Sequence, residues 1–161
     1  MTSIQIIEAD LDRPDHGRTL VRLFASYVTE ITGHDRPPTA EVQRDLLSGL
    51  RSHPTTLAFI AYAGEAPVGL AICFRGFSTF AARPIINIHD LAVMPGHRGK
   101  GIGRRLLETI AAKGRALGCC KLTLEVQENN AQAMRVYAAA GFAQAVYQSD
   151  DGGSLFLTKP L

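Results

Sequence analysis

A chain of 161 residues is long enough for one domain with one hydrophobic core, and 46% hydrophobic with 20% charged residues is ordinary for a soluble globular protein. A formal net charge of +2 is too small to argue for nucleic acid as a partner, and no apolar run reaches the roughly 18 residues of a membrane span. The opening MTSIQIIEADLDRP lacks the basic flank and apolar stretch of a signal peptide, so a cytoplasmic location is expected.

In chain order, residues 3–9 (SIQIIEA) read as a first strand. Over residues 15–32 the apolar side chains of Leu20, Leu23, Phe24, Tyr27, Val28 and Ile31 recur at helical spacing, and Gly33 ends that helix. Residues 33–38 (GHDRPP) form a loop. Thr39 can cap a second helix running to about Ser52, with Val42, Leu46 and Leu50 inward. Strands follow at 57–63 and 68–77 around a Gly64-Glu65-Ala66-Pro67 turn, and a central strand runs over 85–93. A helix reaches about Leu117, with Gly118 closing it. Another strand covers 121–127, and Asn129 or Asn130 caps a last helix that Gly141 ends. A final hairpin is expected from 142–148 and 153–159. Strands alternating with helices indicate a mixed α/β domain, and nothing suggests a boundary within residues 1–161. Cys73, Cys119 and Cys120 make no disulfide framework and read as buried structural thiols.

The stretch organising the rest is NIHDLAVMPGHRGKGIGRRLL, residues 87–107. The strand Asp90-Leu91-Ala92-Val93 breaks at Pro95. Arg98, Gly99, Lys100, Gly101, Ile102, Gly103 and Arg104 then lead into a helix with apolar Ile102, Leu106, Leu107 and Ile110. A strand feeding a glycine-rich turn that opens a helix is a phosphate cradle. Backbone N–H groups converge on an anion, and the helix adds roughly half a positive charge at that end. Arg98, Lys100, Arg104 and Arg105 add full charges, so a pyrophosphate ligand is expected. The spacing G-x-G-x-G departs from the dinucleotide fingerprint, and no Ser or Thr follows Lys100 as a Walker loop requires.

The pattern Arg-x-x-Gly-x-Gly, met at Arg98, Gly101 and Gly103, resembles the cofactor motif of the GNAT superfamily of acyl-CoA N-acetyltransferases. A second stretch, LTLEVQENNAQAMRVYAAAGF, resembles that family's Asn-x-x-Ala-x-x-x-Tyr-x-x-x-Gly-Phe motif at Asn130, Ala133, Tyr137, Gly141 and Phe142. The resemblance covers residues 57–148 well. It implies an α/β (α+β) fold: a mixed, mainly antiparallel six- to seven-stranded sheet with its central strands splayed, flanked by about four helices. It also implies acetyl-CoA as co-substrate, lying in the splay. His16, His34, His53, His89 and His97 have no ligand-like i, i+4 partner, so no metal is expected. The acceptor would be a small-molecule or peptide amine, and a homodimer is the expected assembly. A non-catalytic acyl-CoA-binding domain of the same fold is the alternative.

Direct attack of an amine on the thioester makes three demands. The amine must be neutral although a free alkyl amine titrates near ~10.4. Charge developing on the thioester oxygen needs a donor, and the departing thiolate needs a proton. The resemblance implies that backbone amides of residues 98–104 hold the pyrophosphate, and that main-chain groups of Leu91, Ala92 and Val93 pair with pantetheine like an added strand. By the same resemblance Asn130 contacts the cofactor arm and Tyr137 is the general acid; read by periodicity alone, Tyr137 is a core residue and Asn130 a cap. Candidates for the base are His89, Asp90 and Glu125, or ordered water. Strict alternation sets His89 and Asp90 on opposite faces, so at most one faces the acetyl group. For the acceptor, Tyr27, His34, Asp35 and Phe77 are candidates, as acids and aromatics near the first helix pair and the hairpin.

Overall fold

The computed structural model describes residues 3–31, 37–145 and 157–160, and the chain divides into two compact units, 1–125 and 126–161. In the first unit, β1 (Ile4–Glu8), β2 (Thr56–Ala63), β3 (Ala66–Ser78), β4 (Arg83–Val93) and β5 (Leu122–Leu124) form one sheet in that spatial order. β1 to β4 are antiparallel to their neighbours, and β5 joins β4 in parallel. Helices α1 (Pro14–Ile31), α2 (Ala40–Ser52) and α3 (Ile102–Ala116) belong to the same unit. The second unit contains α4 (Ala131–Ala139). The fold is therefore the expected mixed, mainly antiparallel sheet with four α-helices, with five strands among the described residues rather than six or seven. The expected last hairpin, with its turn at Asp150-Asp151-Gly152, lies mostly outside the described residues.

Local chemistry sets the element ends. Pro14 opens α1, where its missing N–H costs nothing. Thr39 caps α2 by accepting the Val42 N–H at 3.2 Å. Gly64 turns β2 into β3 with φ +62°, and Pro67 is tolerated in β3 because the register shifts beside it. Gly118, at φ +72°, follows the end of α3.

The sheet buries both faces. On one, Leu20 and Leu23 of α1 and Leu50 of α2 pack with Ala58, Ile60, Leu70, Ile72 and Ala92. Val42 is 47% exposed, so of the three residues read as inward on α2 this one is corrected: it lies in the helix's first turn, in solvent. α3 packs on the other face with Ile102, Leu106, Leu107 and Ile110 fully buried. Gly114 of α3 is buried against the sheet, where a β-carbon would lie 3.4 Å from the side-chain ends of Ile86 and Leu122.

One irregularity shapes the functional region. Between β3 and β4, Cys73 pairs with Ile88 but Ile72 pairs with Asp90, leaving His89 as an extra residue in β4. A bulge bends its strand and raises the local twist. β4 parts from β5 at this point: the parallel pairing runs only from Ile86/Leu122 to Ile88/Leu124, so β5 is three residues long rather than the expected 121–127.

Candidate active site

Beyond the bulge β4 keeps β3 on one side and loses β5 on the other. The Met94 N–H bonds to Val68 C=O at 2.9 Å, and antiparallel alternation then turns the main chain of Ala92 toward β3. The main-chain groups of Leu91 and Val93 face the open edge. Of the three residues expected to pair with a pantetheine arm, Leu91 and Val93 thus turn main-chain groups away from β3 to the edge that carries no strand among the described residues, while Ala92 is spent on the sheet. The Arg98 Nε donates to Val93 C=O at 2.8 Å, which leaves the Val93 N–H and both groups of Leu91 along that edge.

A one-turn 3-10 helix (Pro95–His97) carries the chain from β4 into the glycine loop. Gly99 and Gly101 take φ +73° and +76°, a region costly for any residue with a β-carbon. Gly101 is the N-cap of α3 and makes no side-chain cap bond. Arg105 closes the first intrahelical bond, to Gly101 C=O at 3.1 Å, so the N–H groups of Ile102, Gly103 and Arg104 have no intrahelical partner. N–H groups with no partner among the described residues, at a positive helix end and interleaved with glycines, suit an anion.

The cations here are not simply pointed at that anion. Arg98 forms a bidentate pair with Glu30 of α1 at 2.6 Å. Lys100 Nζ donates to Gly96 C=O at 3.0 Å, and Arg104 pairs with Glu108 at 2.8 Å. Arg98 therefore ties the loop to α1 and to the end of β4, and its side chain positions the cradle rather than lining it.

The bulge overturns the expectation that His89 and Asp90 face opposite sides. Directly paired residues in an antiparallel ladder project to one face, so Asp90 shares the face of its partner Ile72, which belongs to the α1/α2 core. The His89 ring meets Phe74 edge-on at 5.5 Å, and Phe74 packs against that same core. Of the three candidates for the base, His89 and Asp90 accordingly share the α1/α2 face. Burial pushes the Asp90 carboxyl above the ordinary carboxylate range, with the His89 imidazole acting in the opposite direction. Cys73, one register position away on the other face, is buried, and burial pushes its thiol up to about 12, as befits a structural thiol.

A polar row crosses the sheet next to these residues. Thr56, Phe74 and Asn87 are paired across β2, β3 and β4, and Asn87 Nδ2 donates to Thr123 Oγ1 of β5 at 3.1 Å. The Thr56 hydroxyl is buried with no hydrogen-bond partner among the described residues. His53, the residue closing α2, also meets the Phe74 ring edge-on, at 5.1 Å. Sequence reasoning missed His53, Asn87 and Thr56. Alternation could have offered Asn87, but His53 follows a helix and nothing in its spacing marks it.

The remaining candidates scatter. Glu125 is exposed just past β5. Tyr27 packs against the core with its ring 6.5 Å from Phe24. Phe77 is 62% exposed at the far end of β3, paired with Pro84, so the hairpin carries it away from Asp90 rather than toward it. His34 and Asp35 lie outside the described residues. In the second unit, Asn130 caps α4 by accepting the Ala133 N–H at 3.1 Å. Tyr137 meets Phe142 at 5.9 Å, and burial raises its hydroxyl pKa, which keeps the proton on.

A sequence model of the acetyltransferase (GNAT) family matches residues 19–142. The chain is 39% identical over 95 residues to streptothricin acetyltransferase of Streptomyces lavendulae, covering 54% of this chain and 50% of that protein. It is 35% identical over 78 residues to thialysine N-epsilon-acetyltransferase of Bos taurus, covering 48% and 45%. The match thus spans about half the length of these curated relatives. A crystal structure of a probable acetyltransferase superposes with a TM-score of 0.78 at 20% identity, covering 97% of this chain and 99% of the other, a likeness of fold.

Proposed function

The chain belongs to the acetyltransferase (GNAT) family, and from that premise we propose that it is an N-acetyltransferase moving the acetyl group of acetyl-CoA to a primary amine. The observation that carries this reading is the open edge of β4 leading into the N–H cradle of α3. Leu91 and Val93 offer an extended arm the hydrogen bonds that β5 no longer takes. Of the amides of residues 98–104, that of Arg98 is spent on Pro95 C=O at 3.3 Å, and those of 99–104 receive its pyrophosphate, while Asn130 contacts the arm. The names of the relatives put small-molecule amines first among acceptors, with a protein N-terminus or lysine as the other class.

Acetyl-CoA supplies the activated thioester. The acceptor nitrogen forms the new C–N bond as the C–S bond breaks. Its proton leaves toward His89 or Asp90, which share a face, directly or through water. A main-chain N–H of the open β4 edge steadies the oxyanion. Tyr137, a phenol protonated at neutral pH, gives its proton to the departing thiolate. Residues 1–161 act as one N-acetyltransferase domain, in a cytoplasmic homodimer; a monomer mass by light scattering would remove the dimer from this picture.

The test is acetyl-CoA turnover, read as thiol release, against polyamines, aminoglycosides, amino acids and N-terminal peptides, with Tyr137→Phe alongside. Amine-dependent release, reduced on the order of 10²-fold in kcat by the substitution, is expected. Tight CoA binding without turnover of any amine would favour a binding domain, and an unchanged kcat across pH in Tyr137→Phe would sink the acid role.

A further inference from the structure

Resting on the acetyl-transfer reading, the structure points to a class of acceptor: we propose that the cleft between the last two turns of α2 and Phe74 holds the apolar body of a slender primary amine, its nitrogen at His89 and Asp90. Leu46, Gly49, Leu50 and His53 recur at helical spacing along one stripe of α2, and with Phe74 they line an open cleft of about 310 Å³.

Three observations lead there. The first is continuity with the reacting groups. His53, Phe74 and His89 stack edge to face at 5.1 and 5.5 Å, so the cleft's aromatic wall is also the surface on which His89 rests. Asp90 shares that face, and a carboxylate beside an apolar wall complements an ammonium group carrying a hydrocarbon chain. The second is the character of the walls. The described lining is three apolar residues, a glycine and one imidazole, with no carboxylate. A polycation such as a polyamine or an aminoglycoside would bring several charges to walls that answer none of them, whereas an alkyl or aryl chain would leave water for them.

The third is Gly49. Glycine inside a helix is less favourable than alanine, and the usual compensation is that a side chain would clash. At Gly49 that compensation is missing: an added β-carbon would meet nothing within 4 Å, while at Gly17 it would meet Leu47 at 2.6 Å, where α1 and α2 cross. Gly17 is a packing glycine. Gly49 keeps open the space in front of Phe74.

The test compares n-ethylamine, n-hexylamine and spermidine as acceptors of wild type and Gly49→Leu, with folding checked by thermal melting. Each buried methylene contributes roughly fourfold to affinity, so the hexylamine-to-ethylamine ratio of kcat/KM in wild type is expected to be at least about tenfold. In Gly49→Leu, whose side chain occupies the cleft, that ratio should collapse toward one. Binding of n-hexylamine without acetyl-CoA, followed by NMR shifts, separates this inference from the parent reading. Hexylamine binding lost in Gly49→Leu, with no turnover of any amine, supports the cleft and removes acetyl transfer. Turnover with no chain-length preference, with spermidine preferred, or with a ratio that Gly49→Leu leaves intact, overturns the cleft and leaves acetyl transfer standing.

Discussion

At His89 a single extra residue decides which side chains can act together. In a regular strand His89 and Asp90 would stand on opposite faces, and one would be lost to the α3 side. The register shift between Ile72 and Cys73 sets both on the α1/α2 face instead. The cost falls on Asp90, whose carboxyl is desolvated there. Since its folded-state pKa lies above the unfolded value, the folded chain binds the proton more tightly, and ionisation lowers stability as pH rises past the ordinary aspartate range, near ~3.9. Asp90→Asn is therefore expected to raise the urea midpoint at pH 7 and to lose that advantage at pH 3. Equal midpoints at pH 7 would contradict the buried-charge account. The two residue types were legible as base candidates, but their common face was not, because a bulge is a property of two strands paired and not of one strand read alone.

Among the elements, the turn from β4 into α3 was the most legible. Its glycine spacing is a local requirement: Gly99 and Gly101 hold positive φ, and the helix that follows needs its first N–H groups free. Gly101→Ala forces a β-carbon into the left-handed region at a cost of roughly 1–2 kcal/mol. It should lower stability by about that amount or, if the loop relaxes, weaken CoA binding in a calorimetric titration. Gly96→Ala in the neighbouring turn, where φ is not in that region and a β-carbon meets nothing within 4 Å, is the control expected to change neither. What spacing did not reveal is that Arg98 spends its guanidinium on Glu30, 68 residues earlier, and on Val93 C=O. With both partners more than a third exposed, this ion pair contributes at most about 1 kcal/mol, so its consequence is the position of the loop more than the stability of the fold.

For the molecule as a whole, the sheet core carries the stability. Ile72 is buried at the centre of the α1/α2 face, beside the bulge and opposite Asp90. Ile72→Ala should cost about 2–5 kcal/mol and lower the melting temperature by roughly 4–20 °C for a domain of this size. A fall smaller than this in scanning calorimetry would mean that the site collapses around the cavity. Because Ile72 supports Asp90 across the ladder, the same variant is expected to lose turnover beyond what its loss of folded fraction explains.

The sequence by itself determined the order of strands and helices from β1 to α4, the cap at Thr39, the anion cradle and the family resemblance, and it narrowed the cap of α4 to Asn129 or Asn130. Each of these depends on residues a few positions apart, whose periodicity and backbone demands act before any long-range contact forms. Only the tertiary structure decided that β4 bulges at His89 and leaves β5, that Ala92 is spent on β3, that Arg98 reaches Glu30, and that α2 stands off Phe74 at Gly49. Those features arise where one element meets another, and such a meeting is set by packing across dozens of residues, which no local spacing encodes.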